Sequence, residues 1–538
     1  MANKKLIIAC DGTWNSPEQR RNDVAAPTNV VRLHNCIAKR DAAGVEQRRY
    51  YHSGVGSEGN LVQRVAGGAF GKGISANIIA AYAWLAQQYE PGDEIWLFGF
   101  SRGAFSARSL AGMVGCCGLP VVGSRTASEV WELAQQAFAE IYRVEPDKRP
   151  VPKWALHPVD PVTGKTPIRF IGVWDTVGAL GVPDDLGVLD LFDDPTHWKF
   201  HDAQLGAGVA HARHALAIDE MRSSFTPTLW TAKNPEPGKP ERVLNDADQP
   251  GKPARVKQLW FPGAHSDVGG GYGECQLSDG ALKWMVDEAA GIGLAFDPAM
   301  VEQILPSPRG LLHESNEGGF KLFKSRPRNR PPLEANSPHY HPSAWLRDQA
   351  PPITQCPYHH PTRLLAVGET ADAIDVQARI QWNETGIYLQ PGAVYEFSAT
   401  GEWLDKDLPC GPDGKRIGKF RIGDAVHAAL GAVGAVETAA NKLFNTPGVD
   451  LPATRRHEDM PWFCLVGAIA NDGARQVANP DGDGSAPPHQ AFRIGAGCRL
   501  TVPDDSACAG YLYCYANDAW HFYDNNLGSV TLSVTRVA

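Results

Sequence analysis

The stretch Ile95-Trp-Leu-Phe-Gly99-Phe-Ser101-Arg-Gly103 decides the fold of this chain. Its apolar residues predict a buried strand, the Gly-x-Ser-x-Gly pattern predicts a sharp turn, and a helical pattern begins at about Phe105. In α/β-hydrolases a nucleophilic serine occupies such a strand–turn–helix elbow, where glycines avoid crowding at a strained backbone. We therefore expect an α/β-hydrolase-like, mostly parallel sheet with Ser101 as the nucleophile.

Strand and helix patterns alternate on both sides of this elbow. Apolar runs predict strands at Leu6–Cys10, Arg169–Trp174 and Val256–Phe261. Apolar residues at helical spacing predict helices over Ile74–Tyr89 and Ala281–Gly291. This alternation is typical of an α/β domain built on a parallel sheet.

The chain divides into three segments of different texture. With 538 residues it is too long for one compact core, and two or more domains are expected. We assign residues 1–305 to the α/β catalytic domain and 306–375 to an irregular arm and linker rich in Pro and His. Short alternating strands broken by Gly, Pro and Asn predict an all-β sandwich over 376–538. A helical pattern near 422–445 predicts an insertion within that sandwich.

Charge and composition exclude some classes of function. A net charge of −9 argues against a nucleic-acid binder, which usually has a basic face. Eleven cysteines without regular spacing indicate reduced thiols rather than a disulfide framework. The apolar run after the basic N-terminus is too short for a secretory signal, and no stretch is long enough to cross a bilayer. We expect a chain made in the cytoplasm without a signal peptide, with at most peripheral membrane contact.

A serine nucleophile needs a base, and the base needs an acid that orients it. In α/β-hydrolases these groups follow in the order Ser, acid, His. Asp175 comes just past the strand Arg169–Trp174, and His265 comes just past Val256–Phe261. Because the carboxyl ends of parallel strands share one edge of the sheet, we expect both side chains near Ser101.

The same edge should also carry the donors that stabilise an oxyanion. Backbone N–H groups serve this purpose in acyl transfer. One should come from Arg102, directly after the nucleophile, and a second from the loop after the first strand, at Gly12 or Thr13. A simple turn at the strand end is the alternative interpretation of that loop.

Several motifs in order carry a family resemblance. The sequence from about residue 4 to about 300 resembles a bacterial α/β-hydrolase family, long of unknown function, that includes type VI secretion phospholipase effectors. The motifs are Cys10–Asn15, Tyr51–Gly56, Gly99–Ala104, Val173–Gly178, His214–Glu220 and Phe261–Gly271. The resemblance implies a phospholipid substrate, type VI export, and a secretion-system or immunity partner.

For the site, this resemblance implies Ser101 as nucleophile, His265 as base and an Asp as the third member. We favour Asp175 for that position. Asp219 and Asp267 also lie in the shared motifs and stay open as alternatives.

A dense polar loop closes the C-terminal segment. Asp518, Asp524, Asn525 and Asn526 lie within Tyr515–Ser529, and calcium prefers such carboxylate and amide oxygens. An Asn/Asp-rich hairpin turn without an ion is the alternative, and composition alone does not separate the two.

The wider pattern of 376–538 resembles the small β-sandwich lectins of the PA-I type, which bind galactose through calcium. The resemblance rests on Leu389–Gly392, Ala399–Trp403, Gly467–Asp472 and Tyr515–Ser529. It implies calcium ligands from the side chains of Asp518, Asn525 and Asn526 and from the main-chain carbonyls of Phe522 and Leu389. The stretch Leu408–Lys415 departs from the sugar-lining loop of that family, so galactose specificity is not implied.

Together these features predict a serine esterase or lipase, with phospholipid as the favoured substrate. A calcium-dependent carbohydrate-binding-like module would bring it to a glycan or envelope surface. Two alternatives remain: a carbohydrate esterase that removes acyl groups from glycans, and a glycan-binding protein whose hydrolase half is only a scaffold.

Overall fold

The structure is a computed structural model. It describes residues 3–12, 15, 18–21, 23–54, 70–177, 204–232, 242–246, 254–316, 324–414, 456–471, 489–504, 508–520 and 522–538. Two predictions, the oxyanion donor at Thr13 and the helical insertion near 422–445, lie outside the described residues.

The N-terminal region is built on a six-stranded parallel sheet. Its strands are β1 (Lys5–Cys10), β2 (Gln47–His52), β3 (Glu94–Phe100), β4 (Ile168–Trp174), β5 (Val209–Ala217) and β6 (Val256–Phe261). Their order across the sheet is β6-β5-β4-β3-β1-β2, and every pairing is parallel. Two short ribbons lie outside it, Arg20–Arg21 with Val24–Ala25 and Thr231–Ala232 with Arg242–Val243.

Helices cover both faces of this sheet. They are α1 (Asn29–Cys36), α2 (Phe70–Gln88), α3 (Arg102–Cys117), α4 (Ala127–Ala137, extended by a π turn at Phe138–Tyr142), α5 (His265–Gly269), α6 (Gln276–Ile292) and α7 (Pro298–Val301). Successive residues of a strand point to opposite faces. In β1, Leu6 and Ile8 therefore join the core beneath α2, α3 and α4, whereas Ile7 and Ala9 join the core beneath α1 and α6.

The C-terminal region is a sandwich of two antiparallel sheets. Its strands are β7 (Thr370–Gln377), β8 (Asn383–Leu389), β9 (Val394–Asp405), β10 (Leu408–Cys410), β11 (Leu465–Asn471), β12 (Gln490–Arg493), β13 (Gly497–Thr501), β14 (Gly510–Ala516) and β15 (Asn526–Arg536). One sheet runs β7-β15-β9-β10, with β13 also paired to β9, and the other runs β8-β14-β11-β12. The predicted class, an α/β sheet followed by an all-β sandwich, is confirmed.

Between these regions the chain is largely irregular, apart from helix α8 (Pro342–Gln349) and short turns. It docks on the edge strand β6, where Trp260 N–H donates to the His339 carbonyl and His341 N–H donates to the Trp260 carbonyl. Leu333 and Tyr340 pack there against Trp260. The stretch around Leu333 to His341 thus packs along the edge of the sheet. Strand β7 begins at Thr370, ahead of the predicted module boundary at 376.

None of the helices in the described part of the chain has the length and apolarity needed to span a bilayer.

Candidate active site

Ser101 lies in a tight elbow between β3 and α3. Its φ of 58° and ψ of −126° belong to a conformation that non-glycine residues rarely adopt. Its N–H donates to the Trp174 carbonyl at 3.1 Å, which ties the elbow to the end of β4. A Cβ at Gly99 would collide with the Gly103 carbonyl, and one at Gly103 would collide with the Cys10 carbonyl. Both glycines are therefore required by the close crossing of strand and helix.

Asp175 and His265 meet at the same edge of the sheet. Asp175 directly follows β4 and adopts a φ of 37°, which also indicates local strain. His265 opens α5 shortly after β6. The His265 Nδ1 atom lies 2.5 Å from the Asp175 Oδ2 atom, and both side chains are buried. The carboxylate thus accepts a hydrogen bond from Nδ1 of the imidazole. The other ring nitrogen, Nε2, is not engaged by Asp175.

Aromatic rings position the imidazole beside the elbow. The ring of Phe100, the residue before Ser101, lies 4.5 Å from the His265 ring, centroid to centroid. The Phe225 ring contacts the imidazole edge-on at 5.0 Å. Ser101 itself is buried. The structure therefore brings the three predicted catalytic residues to one buried edge of the sheet.

Arg328 holds the other side of the Asp175 carboxylate. Its Nη1 donates to Oδ1 at 3.1 Å and its Nη2 donates to Oδ2 at 2.9 Å. The Ala217 N–H also donates to Oδ1, at 3.0 Å. Burial opposes ionisation of this carboxyl, but the Arg328 charge and the His265 hydrogen bond outweigh it and hold the pKa of Asp175 well below its usual value. The acid is therefore ionised at neutral pH.

His265 is neutral at pH 7 for a related reason. Burial lowers the pKa of its imidazole below 6.5, and this effect exceeds the opposing attraction of Asp175. A neutral imidazole is the form that accepts a proton from a hydroxyl group.

Glu220 is a further buried carboxylate at this edge. It accepts the His265 N–H at 3.2 Å and forms a two-pronged ion pair with Arg222 at 2.9 and 2.8 Å. Burial raises the pKa of Glu220, but the Arg222 charge dominates and lowers it to about 2. Glu220 is therefore ionised, and its carboxylate holds the backbone N–H of His265 in place. It lies in the quoted His214–Glu220 motif, although the sequence assigned it no role.

The two alternative acids have other partners. Asp219 accepts the Gly263 N–H and the Tyr358 hydroxyl, and its carboxylate lies 3.1 Å from His359 Nε2. Asp267 binds His313 at 2.6 Å and caps its own helix through the Ala264 N–H. Of the three aspartates left open by the sequence, only Asp175 is hydrogen-bonded to the His265 ring.

The loop after β1 approaches the nucleophile closely. A Cβ at Gly12 would lie 3.2 Å from the Ser101 Cβ, so glycine permits this approach. However, the Gly12 N–H donates to the Asp11 carboxylate at 2.7 Å. The predicted oxyanion donor at Gly12 is thus engaged in the structure, and an oxyanion would have to compete with Asp11 for it. Arg102 begins α3 directly after Ser101, and its role as an oxyanion donor stays a prediction.

Asp11 is itself buried and hydrogen-bonded. It accepts from the Thr28 hydroxyl at 2.7 Å and from the Tyr51 hydroxyl at 2.8 Å. Burial raises the pKa of Asp11 to about 6, although these donors oppose the rise. Asp11 therefore anchors the loop that approaches Ser101.

The polar loop of the sandwich brings some of its predicted ligands together. The Asn526 amide donates to the Asp518 Oδ2 atom at 2.8 Å, and the Ala519 N–H donates to Oδ1 at 2.7 Å. The Asn526 Oδ1 atom is buried and has no hydrogen-bond partner among the residues that the structure describes. The 3₁₀ turn Tyr523–Asn525 separates Asp518 from Asn526, with Phe522 directly before the turn and Asn525 as its last residue.

Leu389, the remaining predicted calcium ligand, lies elsewhere. It pairs with Gly510 at the start of β14, whereas Asp518 follows the last residue of that strand, Ala516. At about 3.3 Å per residue, this separation is on the order of 25 Å. The Leu389 carbonyl therefore cannot share an ion with Asp518. Asp405, at the end of β9, pairs with Asn526 instead.

Among the residues that the structure describes, no group of three or more His, Cys, Asp or Glu side chains is arranged to hold a metal. The Asp518 loop is not of that type, because its oxygens come mainly from amides and carbonyls.

The fold and the site define a class of protein: an α/β-hydrolase-like chain with a serine elbow facing an Asp–His pair. A family profile described as the catalytic domain of Tle1-like phospholipase effectors of the type VI secretion system matches residues 4–288, more than half of the chain. The chain belongs to this family.

One curated relative is an uncharacterized protein of Saccharomyces cerevisiae. It is 29% identical over 246 residues, which are 42% of this chain and 33% of the relative. The chain therefore spans about a third of the length of the curated relative that it matches.

Three solved structures are similar at low scores. An uncharacterized protein from Pseudomonas aeruginosa has a TM-score of 0.34 at 17% identity, over 57% of this chain and 49% of its own. The Tle1 effector bound to the VgrG spike of the type VI secretion system has a TM-score of 0.26 at 17% identity, over 50% of this chain and 51% of its own. The N-terminal domain of EclA, a PllA-like lectin, has a TM-score of 0.18 at 15% identity, over 31% of this chain and 97% of its own. Scores of this size do not by themselves establish a shared fold.

Proposed function

We propose that this protein hydrolyses acyl ester bonds of phospholipids through a Ser101–His265–Asp175 triad. The observation that carries the proposal is the 2.5 Å hydrogen bond that His265 Nδ1 donates to the buried Asp175 carboxylate, beside a serine in a strained elbow. Ester hydrolysis is the reaction that such a set of groups performs. The phospholipid substrate rests on membership of the effector family.

In the proposed reaction, the Ser101 Oγ atom attacks the ester carbonyl carbon while its proton passes to His265 Nε2. The bond from carbon to the alcohol oxygen then breaks, and His265 returns the proton to the leaving alcohol. Water repeats the sequence on the acyl-enzyme: its proton goes to His265 and its oxygen joins the carbonyl carbon. The bond from carbon to Ser101 Oγ then breaks, His265 returns the proton to that oxygen, and the fatty acid is released. Backbone N–H groups at Arg102 and at the Gly12 loop would stabilise the oxyanion.

Arg328 and Glu220 support this reaction without contacting the substrate. Arg328 keeps Asp175 ionised and in place, and Glu220 binds the N–H of His265. Positioning of this kind keeps the imidazole in the orientation and tautomer that the reaction requires.

Release of fatty acid from phospholipid vesicles tests the proposal. We expect the wild-type protein to release fatty acid and Ser101→Ala to lose roughly 10³-fold or more of that activity. Ser106→Ala is the matched control, because it removes a buried serine hydroxyl from the same helix without touching the triad. Equal activity in Ser101→Ala and wild type would refute the proposal. Acetylated sugars in parallel assays distinguish a carbohydrate esterase.

We also propose that the sandwich binds calcium through the side chains of Asp518, Asn525 and Asn526 and the carbonyl of Phe522. The unpartnered, buried Asn526 Oδ1 atom supports this, since a buried oxygen without a donor is costly unless a cation satisfies it. When bound, the ion would supply coordination sites for the hydroxyl groups of a glycan. The ester reaction requires no ion in this proposal.

Membership of the effector family further suggests export by a type VI secretion system. The Tle1 effector in the solved structure is bound to the VgrG spike. We propose a spike component as the export partner of this chain, which co-purification of the full chain with the spike protein would test.

A further inference from the structure

A cavity lies at the amino-terminal ends of strands β4 and β5, whereas Ser101 and Asp175 follow the carboxyl ends of strands β3 and β4. It has a volume of about 230 Å³ and opens between the C-terminal half of α3 and the segments that lead into β4 and β5. Since β4 runs from Ile168 to Trp174, roughly 20 Å of strand separates this cavity from Asp175. The catalytic mechanism uses none of the residues that line it.

The charge of this cavity is unlike that of the whole molecule. Arg108, Arg149 and Lys165 line it, and no Asp or Glu is among its described lining residues, although the chain carries a net charge of −9. Arg149 donates through Nε to the Val144 carbonyl, and neither Arg149 nor Lys165 forms an ion pair within the described part of the chain. Among the described residues, two cations of the cavity wall, Arg149 and Lys165, therefore have no counter-ion.

The cavity also holds an unsatisfied hydroxyl. Thr166 is 1% exposed and lines the cavity, and its Oγ1 atom has no hydrogen-bond partner in the described part of the chain. A buried hydroxyl of this kind costs free energy unless a ligand or water satisfies it. Tyr142 and Trp230 add aromatic surface to the same walls.

The C-terminal end of α3 is the competing explanation for these cations. Cations stabilise helix C-termini, whose partial charge is about −0.5. However, α3 has no basic residue in its last turn and its end is capped by Gly118, whose N–H donates to the Val114 carbonyl. Two full positive charges exceed that half charge, so the cavity remains attractive to an anion.

We propose that this cavity binds a small phosphate monoester. A phosphate dianion is neutralised by two cations and accepts hydrogen bonds from guanidinium, ammonium and hydroxyl groups. The apolar part of the cavity, at Ile168, Val209 and Trp230, leaves room for a short organic group. A soluble metabolite and the headgroup of a lipid share this chemistry.

Calorimetric titration of the full chain tests the proposal with inorganic phosphate, with glycerol 3-phosphate, and with glycerol as the neutral counterpart. We expect both phosphates to bind and glycerol not to bind. Arg149→Gln combined with Lys165→Gln should weaken binding at least tenfold, and Thr166→Val should weaken it several-fold. Lys153→Gln is the matched control, because Lys153 is exposed and lies outside the cavity.

Labelling of Cys116 locates the bound anion. Cys116 is half-buried and lines the cavity, whereas Cys356 is exposed and lies far along the chain. We expect glycerol 3-phosphate to slow the reaction of Cys116 with iodoacetamide, followed by mass spectrometry, and to leave Cys356 unchanged. The cavity site is refuted if neither phosphate binds at millimolar concentration, or if the double variant binds as tightly as wild type.

Vesicles with and without phosphatidic acid distinguish the two sources of the phosphate. If the wild type binds phosphatidic acid vesicles, the double variant does not, and glycerol 3-phosphate binds weakly, the site is assigned to a lipid headgroup. Tight glycerol 3-phosphate binding with unchanged vesicle binding assigns it to a soluble ester. Because these readouts measure binding, they are independent of the ester hydrolysis proposed for Ser101.

Discussion

The catalytic edge of the sheet and the Asp518 loop of the sandwich differ in the partners of their buried polar groups. At the catalytic edge, Asp175 pairs with Arg328 and Glu220 pairs with Arg222. At the sandwich loop, Asp518 accepts from the Asn526 amide and the Ala519 N–H, and among the described residues the Asn526 Oδ1 atom has no hydrogen-bond partner. In the first region each buried carboxylate is therefore balanced by a cation of the chain. In the second, a buried amide oxygen is left without a donor in the described part of the chain.

At the catalytic edge, folding itself positions the charged groups. At the sandwich loop, a bound ligand would complete the site. A preorganised site stabilises its transition state without reorganising at the moment of reaction. A site with an orphaned oxygen gains stability when a cation binds. We therefore expect substitutions at the catalytic edge to change rates, and substitutions at the sandwich loop to change the response to calcium.

Among residues that support the nucleophile, the largest effect should come from Asp175→Asn. This change preserves the shape of the side chain but removes the charge that orients His265, and in triads it costs roughly 10⁴-fold in kcat. Steady-state assays on phospholipid vesicles measure it. Asp267→Asn is the matched control, because Asp267 binds His313 instead of His265. A similar loss in both variants would contradict the assignment of Asp175.

A smaller loss, of about tenfold or more, is expected for Arg328→Met. Removal of the guanidinium leaves the Asp175 charge less compensated, so the pKa of His265 should rise. Activity of the wild type should fall with decreasing pH at a point below 6.5, because burial lowers the pKa of His265. In Arg328→Met this fall should move to higher pH.

The pH profile of kcat/KM measures that shift. Arg326→Met serves as control, because Arg326 lies on the same segment but donates to the Thr226 hydroxyl. An unmoved inflection in Arg328→Met would show that Arg328 acts on packing alone.

The third prediction concerns His359, which lies between the two regions. Its ring nitrogens lie 3.1 Å from Asp219 and 3.1 Å from Glu384. Burial lowers the pKa of His359, but the charges of these carboxylates outweigh it and raise the pKa to about 9. Because the pKa of His359 is higher in the folded protein than in the unfolded chain, protonation of His359 stabilises the fold. This stabilisation is complete below about pH 6.5 and is lost as the pH rises through about 9.

Thermal unfolding between pH 6 and 9.5 measures this loss. We expect the wild-type midpoint to fall by several degrees over that range and the midpoint of His359→Gln to start lower and change less, with a cost of roughly 3 kcal/mol near pH 6. His360→Gln, a change at the exposed neighbouring residue, should behave like wild type. Parallel slopes in wild type and His359→Gln would contradict the raised pKa.

The smallest effect is expected at the sandwich loop. Calcium should raise the unfolding midpoint of the wild type by a few degrees, about 1–3 kcal/mol at saturating concentration, and a chelator should reverse the change. Asp518→Asn should abolish this response. Asp524→Asn, an exposed carboxylate of the same loop outside the proposed ligand set, should retain it. A calcium response that survives in Asp518→Asn would place the ion elsewhere.

Strands with an unbroken apolar run were the most predictable elements of the sheet. Strand β1 covers the predicted Leu6–Cys10, because these side chains form a continuous apolar run. Strand β5 was not predicted, since Arg213 and His214 interrupt its pattern. Both are buried and paired, Arg213 with Glu288 and His214 with Gln258, and such partners cannot be read from local sequence.

Within the site, residues that follow strands were predictable and residues that arrive from distant segments were not. Asp175 and His265 could be placed because each ends a recognisable strand. Arg328 lies in a segment without periodicity, so no pattern connects it to Asp175. The prediction of Leu389 as a calcium ligand was wrong, because Leu389 pairs with the start of β14 and Asp518 follows its end. The order of motifs along the chain does not show which end of a strand a residue will lie beside.

The ion pair between Arg328 and Asp175 also has a consequence for the timing of assembly. The two residues are 153 positions apart in the chain. A ribosome that adds about 5–20 residues per second needs roughly 10 to 30 s to synthesise that interval. During this time the last two strands of the parallel sheet, β5 and β6, emerge while the acid beside His265 still lacks its cation. The hydrolase edge is thus completed late in synthesis, by a segment that is translated after the whole sheet.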